Sequence, residues 1–143
     1  MTKSKVEPYK MSCAKNQVLI VEDDQDMLEI MVEVLKDEYE VTQAFNGEEA
    51  LKLLSACEPN HLPGLIILDT VMPVMDGNEF LNCVRTQYPE RFAHIPVLLS
   101  SANGHRDLDS FAPLKVSLLS KPMDMHQLIS AVENAFRATH FQG

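Results

Sequence analysis

The chain has 143 residues, enough for one domain with a substantial core and short for two. Its hydrophobic content of 45% is ordinary for a globular protein, and its net charge of −9 speaks against nucleic-acid or anionic-membrane surfaces, which cluster Lys and Arg. No apolar run reaches the roughly 18 residues of a membrane span, no apolar stretch of a secretory signal opens the chain, and Cys13, Cys57 and Cys83 lack CxxC or zinc-ligand spacing. A reduced, cytoplasmic setting is the expectation.

Residues 1–15 are polar, aperiodic and contain Pro8, so a flexible extension is expected there. Val18-Leu19-Ile20-Val21 is continuously apolar, the pattern of a strand buried on both faces, and it ends on Glu22-Asp23-Asp24. Asp24 or Asp26 can then cap a helix running to about Lys36. Met27, Ile30, Met31, Val34 and Leu35 have the spacing of one buried face. Leu28 and Val32 fall outside it, as an exposed apolar pair that is either scattered surface or a place to dock a helical partner.

Tyr39–Ala44 alternates as a second strand, and Asn46-Gly47 turns into a helix over Glu48–Cys57. Pro59 and Pro63-Gly64 close that segment before Leu65–Leu68, a third buried strand that stops on Asp69. Pro73 and Asp76-Gly77 lead into a third helix with Phe80, Leu81 and Val84 as its apolar positions, ended by Pro89. Pro96 introduces the fourth strand, Val97–Leu99, which ends on Ser100-Ser101. Gly104 and Pro113 leave room for only a short fourth helix within 103–114. Val116–Leu119 is the fifth strand and ends on Ser120-Lys121-Pro122. The last helix starts near Asp124 and runs to about Ala138, burying Leu128, Ile129, Val132 and Phe136.

Strands and helices alternating in this way predict an α/β fold, one doubly wound parallel sheet with helices on both faces. The predicted domain spans 16–139, followed by a short tail over 140–143, with no internal repeat.

In such a sheet the carboxyl ends of all strands meet along one edge, where open α/β folds place their ligands. The first strand delivers Glu22 and Asp23 to that edge, the third Asp69, the fourth Ser101 and the fifth Lys121. Three converging carboxylates repel, and a hard divalent ion such as Mg²⁺ relieves the repulsion. Lysine is a compact charge suited to a carboxylate or phosphate oxygen, and a serine hydroxyl can donate to another. Aspartate is also a known phosphoryl nucleophile. Taken singly, each residue has a plainer role: Glu22-Asp23-Asp24 as a helix-start cluster, Ser101 as a cap, Lys121-Pro122 as a strand exit. Their joint occurrence at four strand ends argues for one site.

Glu22-Asp23 after Val-Leu-Ile-Val, Asp69 followed by Met72-Pro73 and Met75-Asp76-Gly77, Ser101-Ala102 and Lys121-Pro122 together resemble the receiver domain of two-component response regulators, over roughly 16–139. The resemblance implies a flavodoxin-like sheet of order 2-1-3-4-5 flanked by five helices. It implies phosphoryl transfer to Asp69 from a histidine kinase or histidine phosphotransfer protein. Asp23 would then be a direct ligand of Mg²⁺ (or Mn²⁺), and Glu22 would act mainly through water. Asp69 and the backbone carbonyl of Val71 would complete the ligands, Ser101 would contact the phosphoryl group, and Lys121 would pair with Asp69 or the phosphate. Such a chain is a signalling phosphoacceptor that catalyses only its own phosphorylation and dephosphorylation.

Two departures bear on output. Leu118 stands three positions before Lys121, where the family often has an aromatic switch residue, and Pro113-Leu114-Lys115-Val116 replaces the usual Gly-Ala before the fifth strand. Readout without the aromatic switch is the resulting expectation. A degenerate receiver, acting as a phosphorylation-independent interaction module, is the alternative. An aspartate-nucleophile phosphatase would carry an acid two residues after the nucleophile, where Val71 stands, and no GxGxxG or P-loop follows the first strand. A stand-alone receiver and a receiver within a larger hybrid protein both fit the sequence.

Overall fold

The computed structural model describes residues 16–58, 61–70, 74–87, 89–92, 94–101, 114–120 and 124–142. In chain order the elements are β1 (Asn16–Val21), α1 (Gln25–Leu35), β2 (Tyr39–Ala44), α2 (Gly47–Ala56), β3 (Leu65–Asp69), α3 (Gly77–Gln87), α4 (Pro89–Phe92), β4 (Val97–Ser101), β5 (Val116–Ser120) and α5 (Met125–Gln142). The five strands form one sheet of order β2-β1-β3-β4-β5, every pairing parallel. This is the flavodoxin-like order 2-1-3-4-5 that the resemblance implied. The chain steps from β1 outward to β2, then returns past β1 to β3, so the strand order reverses between β1 and β3. A crevice opens beside the carboxyl ends of strands at such a reversal.

Alternation along the strands divides the interior into two cores. Leu19, Val21, Ile66, Leu68 and Leu99 pack with Ala50, Leu54, Phe80, Leu81 and Val84 of α2 and α3. Val18, Ile20, Ile67 and Leu98 pack with Leu28, Met31 and Leu35 of α1 and with Leu128 and Val132 of α5. A sheet covered on both faces explains why the central strands read as unbroken apolar runs.

The helices start where short polar side chains supply caps. Asp24 accepts from the Met27 N–H at 3.2 Å, and Asn46 accepts from the Glu49 N–H at 2.8 Å. α3 and α5 carry reciprocal boxes: Asp76 with Glu79, and Asp124 with Gln127.

α1 corrects one expectation. Leu28 is fully buried and Val32 is half-buried, whereas Ile30, assigned above to the core face, is 47% exposed. Two overlapping apolar stripes share Met31 and Leu35 on this helix. The packing selects the stripe through Leu28, because α1 meets both the sheet and α5. Leu28 therefore cannot dock a partner.

α4 is a second difference. Pro89, read as a stop, also opens a four-residue turn, since proline suits the first helical position. That turn brings Phe92 and, shortly after it, Ile95 into the core. α5 runs on to Gln142, past its expected end near Ala138. The extension expected over 1–15 and the short helix expected within 103–114 lie outside the described residues, except for Leu114, which is buried.

Tyr39 opens β2 and stacks on Phe136 of α5, ring centroids 5.4 Å apart. Burial, then the nearby Glu133 and Glu38, raises its phenol pKa above the ordinary 10.0. The folded chain thus holds the phenol proton more tightly than the unfolded one. The associated stability is complete below about pH 10 and is lost as pH rises through the folded value. Urea denaturation of Tyr39→Phe is expected to show a weaker loss of stability above pH 10 than the parent chain. For Leu28→Ala the same measurement is expected to show a loss of about 2–5 kcal/mol, the range for emptying a fully buried leucine site.

Candidate functional site

The reversal between β1 and β3 is where acidic side chains gather. Glu22 follows β1 directly, and its N–H donates to the Ala44 carbonyl at 3.0 Å, extending the β1–β2 ladder by one residue. Its carboxylate turns back to accept from the Asp24 N–H at 3.2 Å, tying it to the start of α1. Glu22 is 3% exposed, Asp69 at the end of β3 is 4% exposed, and Asp23 is open to solvent. One carboxylate oxygen from each of Glu22, Asp23 and Asp69 lies within 4.8 Å of the others.

That proximity sets the electrostatics. Two ionised carboxylates at this separation repel by on the order of 3 kcal/mol at an effective dielectric constant of 20. Hard oxygen donors with surplus negative charge suit Mg²⁺ or Mn²⁺, so the donor set fits the ion implied by the sequence.

The chain after β3 is held against the site by backbone contacts. Thr70 is buried, and both its N–H and its hydroxyl donate to the Ser100 carbonyl, at 3.1 and 3.0 Å. The Gly77 N–H returns to the Thr70 carbonyl at 3.1 Å. A Cβ at Gly77 would stand 2.5 Å from the Asp69 carbonyl oxygen and 3.0 Å from the Thr70 Cα, so only glycine permits this approach. The Met75 carbonyl accepts from the Gly47 N–H at 2.9 Å, anchoring the same loop to the start of α2. Val74, exposed on this loop, has φ 68°, a left-handed backbone that strains a β-branched residue.

The sequence-predicted residues are thus placed as follows. Glu22, Asp23 and Asp69 are brought together. Ser101 ends β4 opposite Ser120 of β5 in the same ladder. Val71 and Lys121 lie outside the described residues. Sequence reasoning missed Thr70 and saw Gly77 only as a turn residue. The Asp76-Gly77 pair signalled the turn, but nothing local signalled the contact with Asp69. Ser100, the register partner of Asp69, carries a buried hydroxyl with no hydrogen bond among the described residues.

Comparison with known proteins agrees with this geometry. The family model described as the response regulator receiver domain matches residues 18–133. An uncharacterised 14.6 kDa protein of Leptolyngbya boryana is 36% identical over 84% of this chain and 89% of its own length. The sensor histidine kinase TmoS of Ectopseudomonas mendocina is also 36% identical over 82% of this chain, which spans only 12% of that relative. Among solved structures, the chemotaxis protein CheY4 of Vibrio cholerae superposes with a TM-score of 0.70 at 28% identity, covering 85% of this chain and 99% of its own.

If the Gly77 contact positions Asp69, Gly77→Ala is expected to weaken Mg²⁺ binding by about 10- to 100-fold, the usual effect of disturbing groups that orient metal ligands. Calorimetric titration of the folded variant checks this, and unchanged affinity would remove the positioning role.

Proposed function

The chain belongs to the response regulator receiver domains, and from that premise we propose that it accepts a phosphoryl group on Asp69 in two-component phosphorelay signalling. The observation that carries the proposal is the grouping of Glu22, Asp23 and Asp69 at the strand-order reversal. The donor is a phosphohistidine on a histidine kinase or histidine phosphotransfer protein. Relatives that are themselves histidine kinases, in which the match covers a small part of the length, support that partner class.

An Asp69 carboxylate oxygen attacks phosphorus, the new O–P bond forms, and the P–N bond to the donor imidazole breaks with its electron pair leaving on nitrogen. Burial of Asp69 at a strand end keeps its carboxylate in one place and limits competing water. Glu22, held by the Asp24 N–H, positions the acidic set from the side of α1. Asp23, Asp69 and the Val71 carbonyl would hold Mg²⁺ or Mn²⁺, with Glu22 acting through water. When bound, the ion offsets the carboxylate charge and the charge on the transferring oxygens. Ser101 donates a hydrogen bond to the phosphoryl group, and Lys121 pairs with Asp69 or the phosphate.

On this reading the domain occupies 16–139, the chain works in the cytoplasm, and it alters only its own side chain rather than turning over a substrate. Phosphorylation then changes its contacts with a downstream protein, without a nucleic-acid or membrane surface on this chain. Among the described residues, no helix is long and apolar enough to cross a membrane.

Intact mass after incubation with acetyl phosphate and Mg²⁺ tests the proposal. The expected result is a gain of one phosphoryl group that is absent from Asp69→Ala and absent with chelator. A gain that survives Asp69→Ala would place the acceptor elsewhere. Failure with both acetyl phosphate and phosphohistidine donors would favour an interaction module without phosphorylation.

A further inference from the structure

Ser100 carries a hydroxyl that the acceptor chemistry above leaves unused. The residue is 2% exposed, and its Oγ has no hydrogen-bond partner among the described residues, although its carbonyl accepts twice from Thr70. A buried hydroxyl left unpaired costs stability, and native chains rarely keep one without a use for it. Alanine at this position would avoid the cost.

The sheet limits what this hydroxyl can serve. Paired residues of parallel strands project to the same face, and the face alternates along each strand. Ile67 and Leu98 are such a pair in the core beneath α1 and α5. Asp69 and Ser100 lie two residues further on, again in register, and so project to that side as well. Leu119, the register partner of Ser100 on β5, belongs to the same core. Ser100 thus stands in a cross-strand row between Asp69 and Leu119, on a face where α1 and α5 contribute Leu28, Met31, Leu128 and Val132. Of its two neighbours in the row, only Asp69 offers an acceptor. Adjacent strands lie about 4.8 Å apart, so a change of serine rotamer brings the hydroxyl within hydrogen-bond reach of the Asp69 carboxyl group.

We propose that Ser100 is a positioning residue for the phosphorylated state, its hydroxyl donating to the Asp69 carbonyl oxygen once the phosphoryl group is in place. The inference rests on the assignment of Asp69 as the acceptor. Transfer leaves one Asp69 oxygen bonded to phosphorus and the other as the carbonyl oxygen of an acyl phosphate. Asp69 is nearly buried, so that carbonyl needs a donor from the protein, and Ser100 supplies a neutral one. The bond fixes the carboxyl plane and with it the direction of the O–P bond. Because it is made only after transfer, it favours the phosphorylated chain over the free one.

Ser100→Ala and Ser100→Thr in the full chain test this. Beryllofluoride with Mg²⁺, an unreactive stand-in for the phosphoryl group, is titrated and followed by amide NMR signals. Ser100→Ala is expected to bind it about 3- to 10-fold more weakly than the parent, the worth of one neutral hydrogen bond. Ser100→Thr keeps the hydroxyl and is expected to recover most of the loss. In chelator, the thermal midpoint of Ser100→Ala is expected to equal or exceed the parent's, since the variant sheds an unpaired buried group. A lowered metal-free midpoint would show the hydroxyl already paired and overturn the proposal. A parent that gains a phosphoryl group from acetyl phosphate, with Ser100→Ala binding beryllofluoride equally well, would overturn this inference alone. A parent that takes up neither would overturn the acceptor assignment and this inference with it.

Discussion

Glu22 and Asp69 are nearly buried, carry like charge, and are held a few ångströms apart by two adjacent strands. The fold does not relax this contact because β1 and β3 are fixed by their ladder and by apolar cores on both faces of the sheet. Parallel pairing has a geometric consequence: it gathers strand ends, and whatever the strands end on, along one edge. Here β1 and β3 end on acids. The repulsion is what makes the edge receptive to a divalent cation and, through it, to a phosphoryl group.

Tight backbone packing around Asp69 follows from the same requirement. A nucleophile that must meet an ion and a phosphorus atom tolerates little displacement. Thr70 clamps the Ser100 carbonyl twice, Gly77 closes on the Asp69 carbonyl where no Cβ fits, and Gly47 ties the loop to α2. The strained Val74 backbone lies in this loop rather than in a helix or strand. Strain of this kind persists where the surroundings over-determine the chain. These contacts make the carboxyl edge a fixed template.

Much of this was legible because long-range order has a local signature here. Val18–Val21 and Leu65–Leu68 are apolar at every position, which only a strand covered on both faces requires. Alternation with helices makes such strands parallel, so the acids that follow them meet at one edge. The helix starts near Asp24, Asn46, Asp76 and Asp124 were readable for a similar reason, since each of these side chains satisfies a backbone N–H within its own turn. What failed to show were choices made between elements. α1 carries two apolar stripes sharing Met31 and Leu35, and only contact with α5 and the sheet decides that Leu28 turns inward and Ile30 outward. A turn of four residues at Pro89 is too short to show a period, so Phe92 and Ile95 did not register as core. The Asp76-Gly77 pair announced a bend without revealing that its glycine abuts Asp69.

The measurement that tests this account most directly is thermal unfolding as a function of Mg²⁺ concentration, for the parent chain and for Asp23→Asn. If converging carboxylates are the central constraint, neutralising Asp23 removes repulsion and raises the metal-free midpoint. The parent midpoint climbs with Mg²⁺ as a ligand bound only by the folded state requires, and the variant loses most of that response. A parent midpoint indifferent to Mg²⁺, together with an Asp23→Asn midpoint equal to or below the parent's, would contradict it.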